Sequence, residues 1–89
     1  MRTPSYTKQF AKDVKRIEKR GRSLEKLKGV IKKLVSEERL GPKHRDHKLV
    51  GSYKGRRECH IEPDWLLIYK IIDSEIIFEK TGAHSDLFE

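Results

Sequence analysis

A single cysteine, Cys59, stands in this chain of 89 residues, which excludes an internal disulfide and fits a reducing compartment. The longest apolar run is the five residues WLLIY, Trp65–Tyr69, far short of the ~20 needed to cross a bilayer. The N-terminal stretch MRTPSYTKQF has no signal-peptide core, so the expectation is a cytoplasmic protein with no membrane contact. No glycine-framed serine elbow and no glycine-rich phosphate loop occurs, which argues against a serine hydrolase and against a nucleotide cofactor. Metal ligands are sparse as well. His44 and His47 have an H-x-x-H spacing that His60 with Cys59 or Asp64 would have to complete, and neighbours on a strand such as Cys59 and His60 point to opposite faces. No metal is expected.

Positive charge, in contrast, is plentiful and unevenly placed. Residues 8–33 hold eleven Lys or Arg against Asp13, Glu18 and Glu25, a balance of +8, within a chain of net charge +7. A field of that sign favours a polyanionic partner, either nucleic acid or an acidic protein, although a charge run can also do no more than solvate a helix surface. The chain is short enough to expect one hydrophobic core.

Thr7 is placed to cap a helix over about 7–20, with Phe10, Ala11, Val14 and Ile17 at helical spacing and Gly21 after it. Ser23 heads a second helix with Leu24, Leu27, Val30, Ile31, Leu34 and Val35 on one face, stopped by Gly41-Pro42. Residues 2–6 form a candidate edge strand, since Pro4 bars them from a sheet interior. Residues 41–55 read as a loop, followed by strands at 56–61, 65–72 and 75–80 joined by the turns Pro63-Asp64 and Asp73-Ser74. The architecture expected is α+β, β-α-α-β-β-β, with two N-terminal helices packed on a small antiparallel sheet. Two-residue hairpin loops would align His60, Leu67 and Lys80 in one row, with Glu58, Tyr69 and Phe78 in the next.

Four histidines, His44, His47, His60 and His84, are the obvious proton-transfer groups near neutral pH. With no protein nucleophile in evidence, the chemistry left is proton transfer on a substrate that brings its own nucleophile, as RNA does with its 2′-hydroxyl. The motifs Asp46-His47-x-Leu49-x-Gly51, Lys54-Gly55-x-Arg57, His60-x-Glu62-Pro63-Asp64-Trp65-x-Leu67-Ile68-Tyr69 and Thr81-Gly82-x-His84-x-x-Leu87-Phe88 resemble the YafQ-like branch of the RelE/ParE toxin superfamily. The resemblance is tight over the C-terminal half and extends to the N-terminal half through its order of strand, helix, helix.

That resemblance implies that residues 1–89 form a single RelE-like toxin domain of a type II toxin-antitoxin system. It implies a ribosome-dependent mRNA endonuclease that uses metal-independent acid-base catalysis, and a cognate antitoxin, expected to be an acidic ribbon-helix-helix protein. By position, the family's active-site residues fall on His47, His60, Asp64, Trp65, His84 and Phe88. Lys80 stands where this branch commonly has arginine, which keeps the charge but removes the bidentate fork. In this reading His84 is the general acid, His60 or His47 with Asp64 the base, Lys80 and Arg57 neutralise the phosphate, and Trp65 and Phe88 stack on or wall in a base. Two other readings remain at the level of sequence: a gyrase-inhibiting toxin of the same fold, and a basic nucleic-acid-binding module without catalysis.

Overall fold

Thr7 starts the first helix as its position anticipates. Its backbone is extended and its Oγ1 accepts the Phe10 N–H at 3.0 Å. Helix α1, Lys8–Lys19, buries Phe10, Asp13 and Ile17 along one stripe. Gly21, at φ 80°, then reverses the chain into α2, Leu24–Val35, which buries Leu27, Val30 and Leu34. Ser23 has the extended backbone of a cap but makes no side-chain capping bond. This computed structural model describes residues 1–88.

Five strands follow the order β1-β5-β4-β3-β2, with β1 at Thr3–Tyr6, β2 at His47–Lys48, β3 at Arg57–Glu62, β4 at Trp65–Ile72 and β5 at Glu75–Gly82. Strands β2 to β5 are antiparallel, whereas β1 runs parallel to β5 with Thr3 opposite Glu75 and Tyr6 opposite Phe78. The sheet is therefore mixed. A strand separated from its partner by two helices is not bound to the reversal that a hairpin imposes. The segment read as a loop, 41–55, contains β2 and two single 3₁₀ turns, Pro42–His44 and Gly51–Tyr53. A short helix, α3, His84–Phe88, closes the described chain.

Both hairpin loops have the two residues expected, but the expected rows do not form. A register shift between His60 and Glu62 sets His60 opposite Leu66, and a second one, with Glu79 as the extra residue, sets Lys80 opposite Ile68. The rows are Glu58–Ile68–Lys80 and His60–Leu66–Gly82, while Tyr69 faces Arg57 and Phe78. A bulge carries no hydrophobic signature of its own, so counting from the loops misses it.

The two faces of the sheet have different tasks. One face packs Cys59, Ile61, Trp65, Leu67, Tyr69, Ile76 and Phe78 against the buried stripes of α1 and α2. The other buries Leu66 and Ile68 under Leu87, with Leu49 and Phe88 at its margin. Cys59 lies in the first core, where burial pushes its thiol far above the ordinary range and leaves it inert as a nucleophile.

Candidate active site

Strand alternation places Glu58 and His60 on the face away from the helices, in the same rows as Ile68 with Lys80 and Leu66 with Gly82. His60 turns its Nδ1 to the Pro63 carbonyl at 3.2 Å, and His47 turns its own to the Arg45 carbonyl at 2.6 Å. A carbonyl only accepts, so Nδ1 carries the hydrogen in both rings and Nε2 is the nitrogen left to take or give a proton. Both Nε2 atoms lie 3.6 Å from the same atom, Glu58 Oε1. That is ion-pair reach, longer than a hydrogen bond. Glu58 is buried and fixed by the β2–β3 pairing, in which it stands opposite His47.

Lys80 lies two strands away in Glu58's row, about 10 Å across by ordinary strand spacing. Its ammonium is 5.6 Å from the centre of the Tyr53 ring. Tyr53 meets Phe88 edge to face at 5.3 Å, and Phe88 meets the His84 ring at 4.9 Å. The Tyr53 hydroxyl donates to the Leu87 carbonyl at 3.2 Å, tying the 51–53 turn to α3. A cavity of about 540 Å³ opens beside this ladder, lined by Tyr53, Lys80 and Phe88 among others.

The segment that carries His84 is held on both sides of Gly82. Upstream, the buried Asp13 accepts the Thr81 N–H at 3.1 Å, together with bonds from Gln9 and Arg16. Downstream, Asp86 accepts the Ala83 N–H at 2.9 Å and a two-pronged bond from Arg20 at 2.7 and 3.2 Å. A Cβ at residue 82 would lie 3.0 Å from Asp86 Oδ2, at a φ of 156° that side chains disfavour. The Arg20 guanidinium above all, and then the Ala83 N–H, hold the Asp86 carboxyl down to about 2.

Because the folded state binds this proton less readily than the unfolded state does, Asp86 stabilises the fold above its ordinary 3.8 and stops doing so as pH falls through about 2. The expected result is that the stability gap between wild type and Asp86→Asn, measured by urea unfolding, is full at about pH 5 and closes by about pH 2. A gap that stays constant across that range would mean that the Asp86 charge does not contribute.

Three sequence expectations change on this geometry. Asp64 does not meet His60; it is exposed on the turn, with Oδ1 3.5 Å from the His84 backbone nitrogen, and the carboxylate beside His60 is Glu58. Trp65 is 1% exposed in the helix-side core, and its indole N–H donates to Thr81 Oγ1 at 3.0 Å, so it has no face to offer a base. Arg57 projects from the helix-covered face, where its Nε pairs with Asp46 at 3.3 Å beside the Tyr69 hydroxyl, away from Lys80. Burial and Asp46 push the Tyr69 phenol well above its ordinary range, so it stays a donor to that carboxylate.

His47, His60, Lys80, His84 and Phe88 do share the face opposite the helices. Sequence reasoning missed Glu58, although its two-residue spacing from His60 was the available signal, and Tyr53, which no pattern distinguishes. Among the described residues, no group of three or more His, Cys, Asp or Glu is arranged to hold a metal ion. No described helix is long and apolar enough to cross a membrane.

Two helices on one face of this mixed sheet, with histidines, a lysine and a carboxylate on the other, define a RelE-like α+β toxin fold. The family model described as "Bacterial toxin of type II toxin-antitoxin system, YafQ" matches residues 2–89, and the chain belongs to that family. The mRNA interferase toxin YafQ of Escherichia coli strain K12 is 45% identical over 84 residues, covering 93% of this chain and 91% of its own. The crystal structure of YafQ from E. coli BL21(DE3) superposes with a TM-score of 0.95 at 42% identity, covering all of both chains. The toxin in the E. coli DinJ–YafQ toxin-antitoxin complex gives 0.92 at 44%, covering 99% of this chain and 98% of that one.

Proposed function

We propose that this toxin is an endoribonuclease that cuts mRNA on the ribosome, with the sheet face opposite the helices as its active site. The observation that carries this reading is the Glu58 carboxylate flanked by His47 and His60, facing Lys80 across Ile68 on a surface that runs to Phe88 and His84.

His60 Nε2, the nitrogen not committed to a backbone carbonyl, takes the proton from the RNA 2′-hydroxyl, and Glu58 stands where it balances the imidazolium that forms. The 2′-oxygen bonds to phosphorus as the bond to the 5′-oxygen breaks. His84, exposed at the end of the face, returns a proton to that departing oxygen, and Lys80 offsets the charge gathered on the phosphate. The products are a 2′,3′-cyclic phosphate and a free 5′-hydroxyl. Phe88, against the His84 ring, walls one side of the nucleotide.

Exposed lysines of α1 and α2, such as Lys12, Lys15, Lys19, Lys32 and Lys33, supply the positive field for ribosomal RNA or for an acidic antitoxin of ribbon-helix-helix type. The family match and the complex of the E. coli relative with its antitoxin support such a partner.

The test is translation of a reporter mRNA by purified ribosomes. Discrete cuts ending in a cyclic phosphate, absent when ribosomes are left out, are the expected result. Intact mRNA with poisoned DNA gyrase would instead establish a binding toxin of the same fold, and intact mRNA with active gyrase a non-catalytic nucleic-acid-binding module.

A further inference from the structure

We infer that Arg20, at the C-terminal end of α1, is a positioning residue for the proton-donating end of the site and acts through Asp86 on His84 and Phe88. The inference rests on the nuclease reading above for its kinetic consequence, though not for its structural one. Helix α3 has only five residues, too few to hold its own shape, so its orientation comes from its attachments. Leu87 is buried against Leu66 and Ile68, and its carbonyl takes the Tyr53 hydroxyl bond; both fix the side of α3 that faces the sheet. The side that faces α1 is fixed by Asp86, whose two oxygens are gripped by both terminal nitrogens of Arg20. Asp86 Oδ2 also accepts the Ala83 N–H, so the fork sets the turn immediately before His84 as well.

The arrangement separates geometry from stability. The Arg20 side chain is 47% exposed, and an ion pair that open to solvent adds little to folding. A displacement of about 1 Å at a proton donor can nevertheless cost on the order of a hundredfold in rate. Lysine at position 20 would keep the charge and reach one carboxylate oxygen, and would lose the fork.

Rates for Arg20→Ala, Arg20→Lys, His84→Gln and the double variant Arg20→Ala/His84→Gln should be measured on programmed ribosomes. The expected pattern is kcat lower by about 10- to 100-fold for Arg20→Ala, with KM within about twofold and melting temperature within about 5 °C of wild type. Arg20→Lys, which keeps the charge but not the fork, recovers only part of the lost rate. The double variant is no slower than His84→Gln alone, because the two residues act on one step. If Arg20→Ala leaves kcat unchanged, or if its loss multiplies with that of His84→Gln, Arg20 does not act through His84 and the inference falls. NMR of the free protein separates this from a failure of the nuclease reading: Arg20→Ala is expected to shift the His84 and Phe88 ring resonances even if no RNA is cut. Unmoved rings would overturn the inference whatever the cleavage assay shows.

Discussion

His84→Gln is expected to slow cleavage of ribosome-bound mRNA by about 10²- to 10⁴-fold, the range that a positioned general acid supplies. Glutamine approximates the size and polarity of histidine but cannot deliver a proton. His84 is exposed and its ring lies against Phe88, so the melting temperature should move by no more than a few degrees. A large loss of rate at constant stability would identify a chemical role. Cleavage at the wild-type rate by both His84→Gln and His60→Ala would remove the acid-base assignment altogether.

Trp65→Ala should have the largest effect on stability. The indole is enclosed in the helix-side core and joined to Thr81, so its removal leaves a cavity and costs about 3–5 kcal/mol. For a domain of this size that corresponds to a fall of roughly 15–30 °C in melting temperature. Trp65→Phe separates the two roles proposed for this position. It refills most of the space without the N–H donor, so a scaffold role predicts cleavage by the folded variant within about fivefold of wild type. A Trp65→Phe protein that is fully folded yet cuts a hundredfold slower would restore the tryptophan to the substrate.

Much of the fold could be read from the order of residues. Thr7, the apolar stripes of α1 and α2, and Gly21 mark the helical hairpin by propensity and periodicity, and Pro63-Asp64 and Asp73-Ser74 mark both hairpin loops. Helix α3 escaped because five residues are too few to show a helical period. The site was legible as a set of residue types more than as an arrangement. Trp65 shares its strand face with Leu67 and Tyr69, and Arg57 shares its own with Cys59 and Ile61; alternation alone places both on the helix side. The pairing of His60 with Glu58 depends on which way one ring is turned. That choice is made by the Pro63 carbonyl, and sequence does not record it.

The extra residue at position 79 divides β5 into two reading frames. Before it, the even-numbered Ile76 and Phe78 face the helices; after it the odd-numbered Thr81 does, which leaves Lys80 and position 82 to the opposite face. Strand β1 pairs only with the first frame and ends opposite Phe78. Past that point the outer edge of β5 is met by single side chains, Thr7 donating to the Glu79 carbonyl at 2.8 Å and Asp13 accepting from Thr81. The half of the strand that carries Lys80 and leads to His84 is therefore docked to the N-terminal helix one side chain at a time. Were residue 79 taken into the ladder instead of bulged out, it would stand opposite Ile68 and every residue after it would change face, turning Lys80 toward the core opposite Leu67 and Thr81 toward the opposite face.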